Sequence, residues 1–171
     1  MGFNYGQRSK SFIETLQPPL QKVLYRAIEI IDITILCGRR DKGEQDSAFE
    51  RKVSGVRWPD SAHNVLVPTD KAWGFDAMPY TPGVPGGVDW RTDKEMFAAL
   101  KAGNMREALE ILENIKRIKM VSGLILGIAY EQGIRLVNGS DWDGDLNFME
   151  HTLKDSPHYQ PINWKGLRDG K

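Results

Sequence analysis

The sequence predicts an α+β domain in which a small antiparallel sheet is packed with helices, and three observations support that fold class. The chain has 171 residues, of which 40% are hydrophobic, enough to build one core. Runs at helical spacing and short β-branched runs follow one another with few strands and irregular crossovers. The single cysteine, Cys37, excludes an intrachain disulfide framework and a cysteine-rich zinc cluster.

The N-terminal half carries two predicted helices and two predicted strands. Pro18 suits the first turn of a helix, and the apolar side chains after it recur at helical spacing. A short β-branched run then ends at Gly38, which is typical of a buried strand. In chain order the predicted elements are a helix over residues 18–31, a strand over 33–37, a polar helix over 42–53 and a strand over 73–78.

The C-terminal half begins with a turn-rich surface segment, residues 81–87, and is then mostly helical. Thr92 and Glu95 have the spacing of a capping box, and Asn104 is the expected N-cap of a long helix. The predicted elements are helices over 93–102 and 105–132, strands over 134–137 and 158–162, and a flexible tail over 165–171.

Charge and hydropathy limit the classes of partner. The chain has 23 basic and 23 acidic residues, so no positive excess indicates binding to nucleic acid. The longest apolar stretch, residues 118–130, is interrupted by Lys119 and is too short to span a bilayer. Residues 1–10 are polar and do not resemble a signal peptide, so we expect synthesis in the cytoplasm and release by another factor.

Two of the three histidines and one strand carboxylate form a candidate metal site. His63 lies in the loop before the second predicted strand, and His158 begins the last one. Asp76 lies inside an otherwise apolar strand, where an unpartnered carboxylate is costly to bury. Two imidazoles and one carboxylate leave the fourth position of a zinc ion open for water. A surface role for His63 and an ion pair between Asp76 and an arginine remain alternatives, and His151 is expected at the surface.

Two further groups of acidic or amide side chains are candidates for chemistry. Asp155 precedes His158 by three residues across a proline-containing turn, which can bring it beside a metal to take up and return a proton. Capping of that turn is the alternative for Asp155. Oxygen ligands at alternating positions can bind Ca²⁺, but the EF-hand spacing is absent, so a solvated acidic turn is favoured. These oxygen ligands are Asp141, Asp143, Asp145 and Asn147.

Four short motifs together resemble a known family of zinc peptidases. They are Ser61-Ala62-His63, Asp76-Ala77-Met78-Pro79-Tyr80, Gly139-Ser140-Asp141-Trp142 and Asp155-Ser156-Pro157-His158. The helix near Leu20 and the strand and turn that end at Arg40 are similar as well. The family includes VanY-type D-alanyl-D-alanine carboxypeptidases and phage L-alanyl-D-glutamate endopeptidases, and the resemblance extends over most of the chain, from Ser9 to His158.

The resemblance implies a Hedgehog/DD-peptidase-like fold over a single catalytic domain, residues 1–171. His63, Asp76 and His158 fall on the ligands of one Zn²⁺, and Asp155 falls on the catalytic carboxylate. These assignments come from matching motifs along the chain, because no local zinc-binding helix motif is present.

The resemblance also assigns two residues to the substrate and shows two departures. Arg40 falls on an arginine that holds substrate or polarises its carbonyl, with a salt bridge on a turn as the alternative. Ser61 falls on the motif serine beside the substrate. His63 and Asp76 are thirteen positions apart, a wider spacing than in the usual motif of the family. This spacing indicates an inserted loop over residues 65–71. Gln160 stands where many members carry glutamate. Both departures concern the substrate groove.

The function implied is that of a phage endolysin acting on peptidoglycan. We expect zinc-dependent cleavage of the L-alanyl-D-glutamate bond of the stem peptide, by a monomer that is made in the host cytoplasm. It would reach the periplasmic wall after a holin opens the inner membrane, and cause host cell lysis. Two alternatives remain: a D-alanyl-D-alanine carboxypeptidase, in which Arg40 could grip the terminal carboxylate, and a non-catalytic wall-binding module.

Overall fold

A computed structural model describes residues 2–67, 70–145 and 155–170 of the chain. Over these ranges, helices pack around one four-stranded antiparallel sheet, which confirms the predicted α+β class. The helices are α1 (Gln7–Glu14), α2 (Pro18–Ile28), α3 (Lys42–Glu50), α4 (Asp93–Lys101), α5 (Met105–Glu131) and α6 (Trp164–Arg168). The strands are β1 (Ile33–Cys37), β2 (Phe75–Pro79), β3 (Leu136–Gly139) and β4 (Asp155–Pro161), and a short 3₁₀ turn spans Pro85–Gly87.

The predicted elements occur in the predicted order, and their ends differ by a few residues. The capping box of Thr92 and Glu95 is confirmed at the start of α4, and Asn104 caps α5 through its side chain. The largest shift in a strand is at β4, which begins at Asp155 rather than at His158. Asp155 therefore belongs to the sheet and not to a turn before it.

Two short helices, α1 and α6, lie where the sequence predicts none. Ile13 of α1 is fully buried in the core. Residues 165–171 were expected to be a flexible tail, but most of α6 lies within them. Trp164 at its start is buried, and Arg168 Nη1 donates to the carbonyl oxygen of Pro59 at 2.9 Å. A segment this short shows no helical periodicity, so its one large apolar anchor decides its position.

The sheet has the strand order β1-β2-β4-β3, and every neighbouring pair is antiparallel. In the centre of the sheet, Asp76 of β2 is the cross-strand partner of His158 of β4. On its other side, Asp76 pairs with Cys37 of β1, where a register shift follows Ile35. Directly opposite residues have Cβ atoms about 5 Å apart. The sheet therefore places a carboxylate between an imidazole and a thiol.

Alternation along β2 and β4 separates the core from the opposite face of the sheet. Phe75 and Tyr159 are also cross-strand partners, and their rings stack with centroids 5.0 Å apart. Both rings are buried, and the Tyr159 hydroxyl hydrogen-bonds Ser122 of α5 at 2.9 Å. Because successive side chains of a strand point to opposite faces, the residues next to this pair face away from the core. Those residues are Asp76 and His158.

The helices α1, α2 and α5 cover the apolar face of the sheet. Buried side chains of α2 and α5, among them Leu24 and Ile125, form one cluster with the sheet residues. Among the described residues, no helix combines the length and apolarity needed to cross a bilayer. The 27 residues of α5 fit its packing role, since its buried positions recur at helical spacing.

Gly139 at the end of β3 tests how tightly β3 and β4 fit together. A Cβ at position 139 would overlap the carbonyl oxygen of Asp155 and would lie 2.9 Å from the Cβ of Asp155. We expect Gly139→Ala to lower the free energy of unfolding by about 1–3 kcal/mol, as overpacking does, and to reduce activity by displacing Asp155. Thermal unfolding and turnover check this.

The matched control is Gly123→Ala in α5, where a Cβ meets nothing within 4 Å. An exposed helical glycine replaced by alanine should stabilise the protein by about 0.5–1 kcal/mol. Equal stability of the Gly139→Ala variant and the wild type would contradict the close approach of the two strands.

Candidate active site

Three side chains from distant parts of the chain converge on the face of the sheet opposite the core. His63 Nε2 lies 3.0 Å from His158 Nδ1, and each of these nitrogens lies 3.1 Å from Asp76 Oδ1. Both imidazoles are buried, and the side chain of Asp76 is only 14% exposed. The structure thus brings together the three residues that the sequence analysis assigned to a metal.

The three groups are held by different parts of the fold. Asp76 and His158 are fixed by the register of β2 and β4. The loop that carries His63 is tied to the end of β1, because Arg40 N donates to the His63 carbonyl oxygen at 2.9 Å. The same loop packs closely on Gly74, where a Cβ would lie 2.8 Å from the Cβ of Ala62. A glycine just before β2 is therefore needed for the loop to approach the strand.

The outer nitrogens of the two imidazoles fix their tautomers. His63 Nδ1 lies 2.6 Å from the carbonyl oxygen of Gly38, which can only accept, so Nδ1 carries the hydrogen. His158 Nε2 lies 2.9 Å from the amide oxygen of Gln160 and donates to it in the same way. The two nitrogens that face Asp76 are left with lone pairs. Three acceptor atoms thus meet within 3.1 Å and need a cation among them.

A proton can supply that positive charge. Burial acts to lower the pKa of His63, but the charge of Asp76 and the hydrogen bond to it outweigh burial and raise the pKa to about 10. Burial acts to raise the pKa of Asp76, but His63 and His158 hold it well below its usual range. The site is therefore organised around a positive charge.

A divalent cation fits the same three atoms. Two ligands of a tetrahedral Zn²⁺ at 2.0–2.1 Å are separated by about 3.3 Å, close to the spacing of the three atoms here. The outer hydrogen bonds to Gly38 and Gln160 are of the kind that orient metal-binding imidazoles. Cys37 adds a further potential ligand, because its sulfur and one atom each of His63 and Asp76 lie within 4.8 Å of one another.

Arg40 lies at the site, where its guanidinium donates hydrogen bonds to side chains of the protein itself. Its Nη2 donates to Asp76 Oδ2 at 3.0 Å, and its Nε donates to the sulfur of Cys37 at 3.1 Å. The guanidinium thus holds the oxygen of Asp76 that points away from the imidazoles. The salt bridge considered as the alternative for Arg40 is present. Direct contact of Arg40 with substrate stays a prediction.

Ser61 lies in the wall of the site and supports the histidine loop. It is buried, and its hydroxyl accepts from the amide of His63 at 3.3 Å. The nearby Asn64 side chain accepts from Ser61 N and donates to Gln45, which is fully buried. This network fixes the backbone on both sides of His63. The assignment of Ser61 to substrate stays a prediction.

Asp155 lies beside the three converging groups. It lines one cavity of about 490 Å³ together with His63, His158 and Trp142. Burial, and then the negative charge of Asp76, raise the pKa of Asp155 above its ordinary value. A carboxyl group whose pKa is raised toward the working pH can both accept and donate a proton.

The acidic loop after β3 brings three carboxylates close together. Single oxygens of Asp141, Asp143 and Asp145 lie within 4.8 Å of one another, and Asp141 Oδ1 accepts from Gly144 N at 3.1 Å. Exposed acidic groups cluster in this way without an ion as well. Asn147 and His151 lie outside the described residues.

Sequence reasoning missed Cys37, Gln45 and the carbonyl of Gly38 as parts of the site. The contact of Gln160 with His158 was also missed, although the sequence carried a signal for it, because positions 158 and 160 share one face of a strand. Cys37 enters through the register shift in β1, and Gln45 through the packing of α3 against the loop. Neither arrangement has a pattern in the sequence.

Replacing Cys37 with serine tests which atoms form the ligand set. We expect Cys37→Ser to retain stoichiometric metal, because the two imidazoles and Asp76 already supply three ligands. Elemental analysis of the purified protein checks this. Loss of the metal in this variant, with His158→Ala retaining it, would assign the site to Cys37, His63 and Asp76 instead.

One known protein is similar to the chain in sequence, and another is similar in fold. The chain is 26% identical over 152 residues to the L-alanyl-D-glutamate peptidase of Escherichia phage T5, covering 88% of this chain and 89% of that one. The crystal structure of the L-Ala D-Glu endopeptidase ChiX of Serratia marcescens shares the fold, with a TM-score of 0.57. That comparison covers 92% of this chain and 90% of the other at 19% identity.

The sequence profile of a family described as phage L-alanyl-D-glutamate peptidase matches residues 1–116. This range is more than half of the chain and includes Arg40, His63 and Asp76. The relatives cover the C-terminal part as well. The chain therefore belongs to the phage L-alanyl-D-glutamate peptidase family.

Proposed function

We propose that the chain is a zinc-dependent endopeptidase that cleaves the L-alanyl-D-glutamate bond of peptidoglycan stem peptides. The observation that carries the proposal is the meeting of two imidazole lone pairs and one carboxylate oxygen within 3.1 Å, on a cavity shared with Asp155. Membership of the family supplies the peptidase class and the bond.

In this proposal His63, Asp76 and His158 hold one Zn²⁺. The ion would supply a Lewis acid that activates water and polarises the scissile carbonyl. Asp155 takes the proton from the attacking water and returns it to the leaving amine, for which its raised pKa is suited. Arg40 positions Asp76 through the second carboxylate oxygen.

The position of Arg40 bears on the alternative activity. A D-alanyl-D-alanine carboxypeptidase must grip the terminal carboxylate of its substrate. Arg40 was the candidate for that task, but its fork is engaged with Asp76 and Cys37. The non-catalytic alternative does not account for the environment of Asp155. Burial of its carboxyl group beside Asp76 costs stability, but it also raises the pKa of Asp155, which suits a residue that transfers protons.

Digestion of purified muropeptides tests the activity. We expect release of peptides that begin with D-glutamate, with L-alanine left on the muramic acid. Mass spectrometry of the products identifies the bond. Free alanine as the main product would favour the carboxypeptidase, and tight binding to the wall without any product would favour the binding module.

The family also suggests the setting of the reaction. We propose that the protein is made in the host cytoplasm and acts as an endolysin on the periplasmic wall after a holin opens the inner membrane. Induction of the chain with and without a holin in a Gram-negative host tests this. Lysis is expected only in the presence of the holin, and lysis by the chain alone would contradict the proposed route.

A further inference from the structure

Gln160 lies in the wall of the cavity that contains the candidate ligands, and only one end of its amide is used by them. The cavity of about 490 Å³, called here the active-site cavity, is lined by His63, His158, Asp155 and Gln160. Gln160 follows His158 by two residues in β4, so both side chains rise from the same face of the sheet. Gln160 is half-buried, and part of it therefore remains in contact with solvent.

The tautomer of His158 fixes which end of the Gln160 amide faces the ring. His158 Nδ1 keeps its lone pair for the ligand cluster at Asp76, so His158 Nε2 carries the hydrogen and donates to Gln160 Oε1 at 2.9 Å. The amide must therefore present its oxygen to the imidazole. Its nitrogen, with two N–H donors, is the end that does not face His158.

The amide nitrogen of Gln160 is available to a ligand. Over the described residues, Gln160 Nε2 donates no hydrogen bond, and the buried side-chain polar atom without a partner is Asn114 Oδ1. The Gln160 nitrogen is thus unpartnered in this range but not buried, and water must satisfy it. A substrate oxygen that replaces this water gains a donor already held in place by the bond to His158.

The position of this donor decides which part of the substrate it contacts. This step rests on the proposed function. Nδ1 and Nε2 lie on different sides of the imidazole, so the ring of His158 separates Gln160 from the atoms at which the scissile carbonyl is polarised. The donor is therefore placed for the peptide chain that flanks the scissile bond, whose carbonyl oxygens are acceptors.

We propose that Gln160 is a positioning residue for His158 and also binds a carbonyl oxygen of the stem peptide next to the scissile bond. The amide oxygen performs the first task and the amide nitrogen the second. A carboxylate at this position would still accept from His158, but it could not donate and would repel an acidic peptide. A neutral amide serves both tasks.

Two substitutions separate the two ends of the amide. Gln160→Met removes both ends, whereas Gln160→Glu keeps an acceptor for His158 and removes the donor. We expect Gln160→Met to lower zinc affinity by about ten- to hundredfold, as the loss of an outer partner of a ligand does. Gln160→Glu should bind zinc at least as tightly as the wild type. Competition with a chelator measures both affinities.

Binding of a muramoyl tripeptide measures the donor. The titrations use zinc-loaded Asp155→Asn protein, in which little cleavage is expected, and follow the fluorescence of Trp142 and Trp164 in the cavity wall. Adding Gln160→Glu should weaken peptide binding by about three- to tenfold, the value of one hydrogen bond between uncharged groups. The loss should persist at about 1 M salt, where exposed charges are screened beyond about 3 Å.

The matched control is Gln132→Glu in the same Asp155→Asn background. Gln132 is exposed at the end of α5 and does not line the active-site cavity, so the same charge is added away from the peptide. Zinc affinity and peptide binding should equal those of the background.

The outcomes separate this assignment from the proposed function. Peptide binding that is unchanged by Gln160→Glu, absent from the background protein, or restored by high salt would overturn the donor role. Retained zinc affinity in Gln160→Met, or its loss in Gln160→Glu, would overturn the positioning role. The bond that the wild type cleaves, identified by mass spectrometry, decides the proposed function whatever the titrations show.

Discussion

His158→Ala is expected to lose both the bound metal and the peptidase activity. Removal of one imidazole leaves His63 Nε2 and Asp76 Oδ1 of the proposed set, and two ligands do not retain an ion against dilution and washing. The sulfur of Cys37, the further potential ligand, already accepts a hydrogen bond from Arg40 Nε. Replacing even an outer partner of a metal ligand typically costs about ten- to hundredfold in metal affinity or activity. The loss of a direct ligand should exceed that range. Elemental analysis and muropeptide digestion measure the two effects.

The control for this variant is His151→Ala, which changes the same residue type in the same part of the chain. All three proposed ligand atoms come from other positions, so metal content and turnover should remain close to those of the wild type. Stoichiometric zinc in His158→Ala would refute the assignment of His158 as a ligand. Loss of zinc from His151→Ala would show that the set is incomplete.

The second large effect is expected for Asp155→Asn. Asparagine keeps the shape of the side chain but cannot carry the proton, so turnover should fall by about two to four powers of ten. Metal content should be unchanged, because no ligand atom is altered. Parallel measurement of zinc and turnover separates this variant from a ligand variant, in which both are lost.

The matched control is Asp60→Asn, which changes another carboxylate on the wall of the active-site cavity. Asp60 is exposed and pairs with Lys165 at 3.2 Å, so its replacement should leave turnover nearly unchanged. If Asp155→Asn retains full turnover, another group carries the proton.

Asp155→Asn also has a predicted effect on the stability of the metal-free protein. Burial and the charge of Asp76 raise the folded-state pKa of Asp155 above its unfolded value. Its contribution to stability is therefore fully present below the unfolded pKa and is lost as the pH rises through the folded pKa. At neutral pH the ionised carboxylate costs stability, and Asp155→Asn should raise the melting temperature. Melting curves at neutral and acidic pH check this, since the difference should shrink in acid.

The sequence predicted those parts of the site that depend on strand periodicity. A carboxylate in an apolar strand pointed to Asp76, because alternation places it opposite the core residue Phe75. The position of His63 depended on resemblance, since the loop that carries it is set by contacts with the end of β1. Such contacts between distant segments leave no periodic signal.

The contacts of Arg40 and the helix at the C-terminal end could not be predicted from the sequence. The sequence indicated a cation near the site but not the direction of its guanidinium, which the spacing of Cys37 and Asp76 in the sheet decides. The helix α6 could not be predicted from the sequence, because five residues are too few to show helical periodicity. Burial of one tryptophan fixes that segment.

Phe75–Tyr159 and Asp76–His158 are consecutive cross-strand pairs of β2 and β4. The same strand register therefore determines both the packing of the core and the placement of the candidate ligands on the opposite face. A one-residue slip between the two strands would exchange the faces, turning a carboxylate and an imidazole toward the core and an aromatic pair toward the substrate. Any insertion or deletion within either strand thus damages folding and catalysis together. Variants of this protein that change length should consequently be tolerated only outside the two central strands.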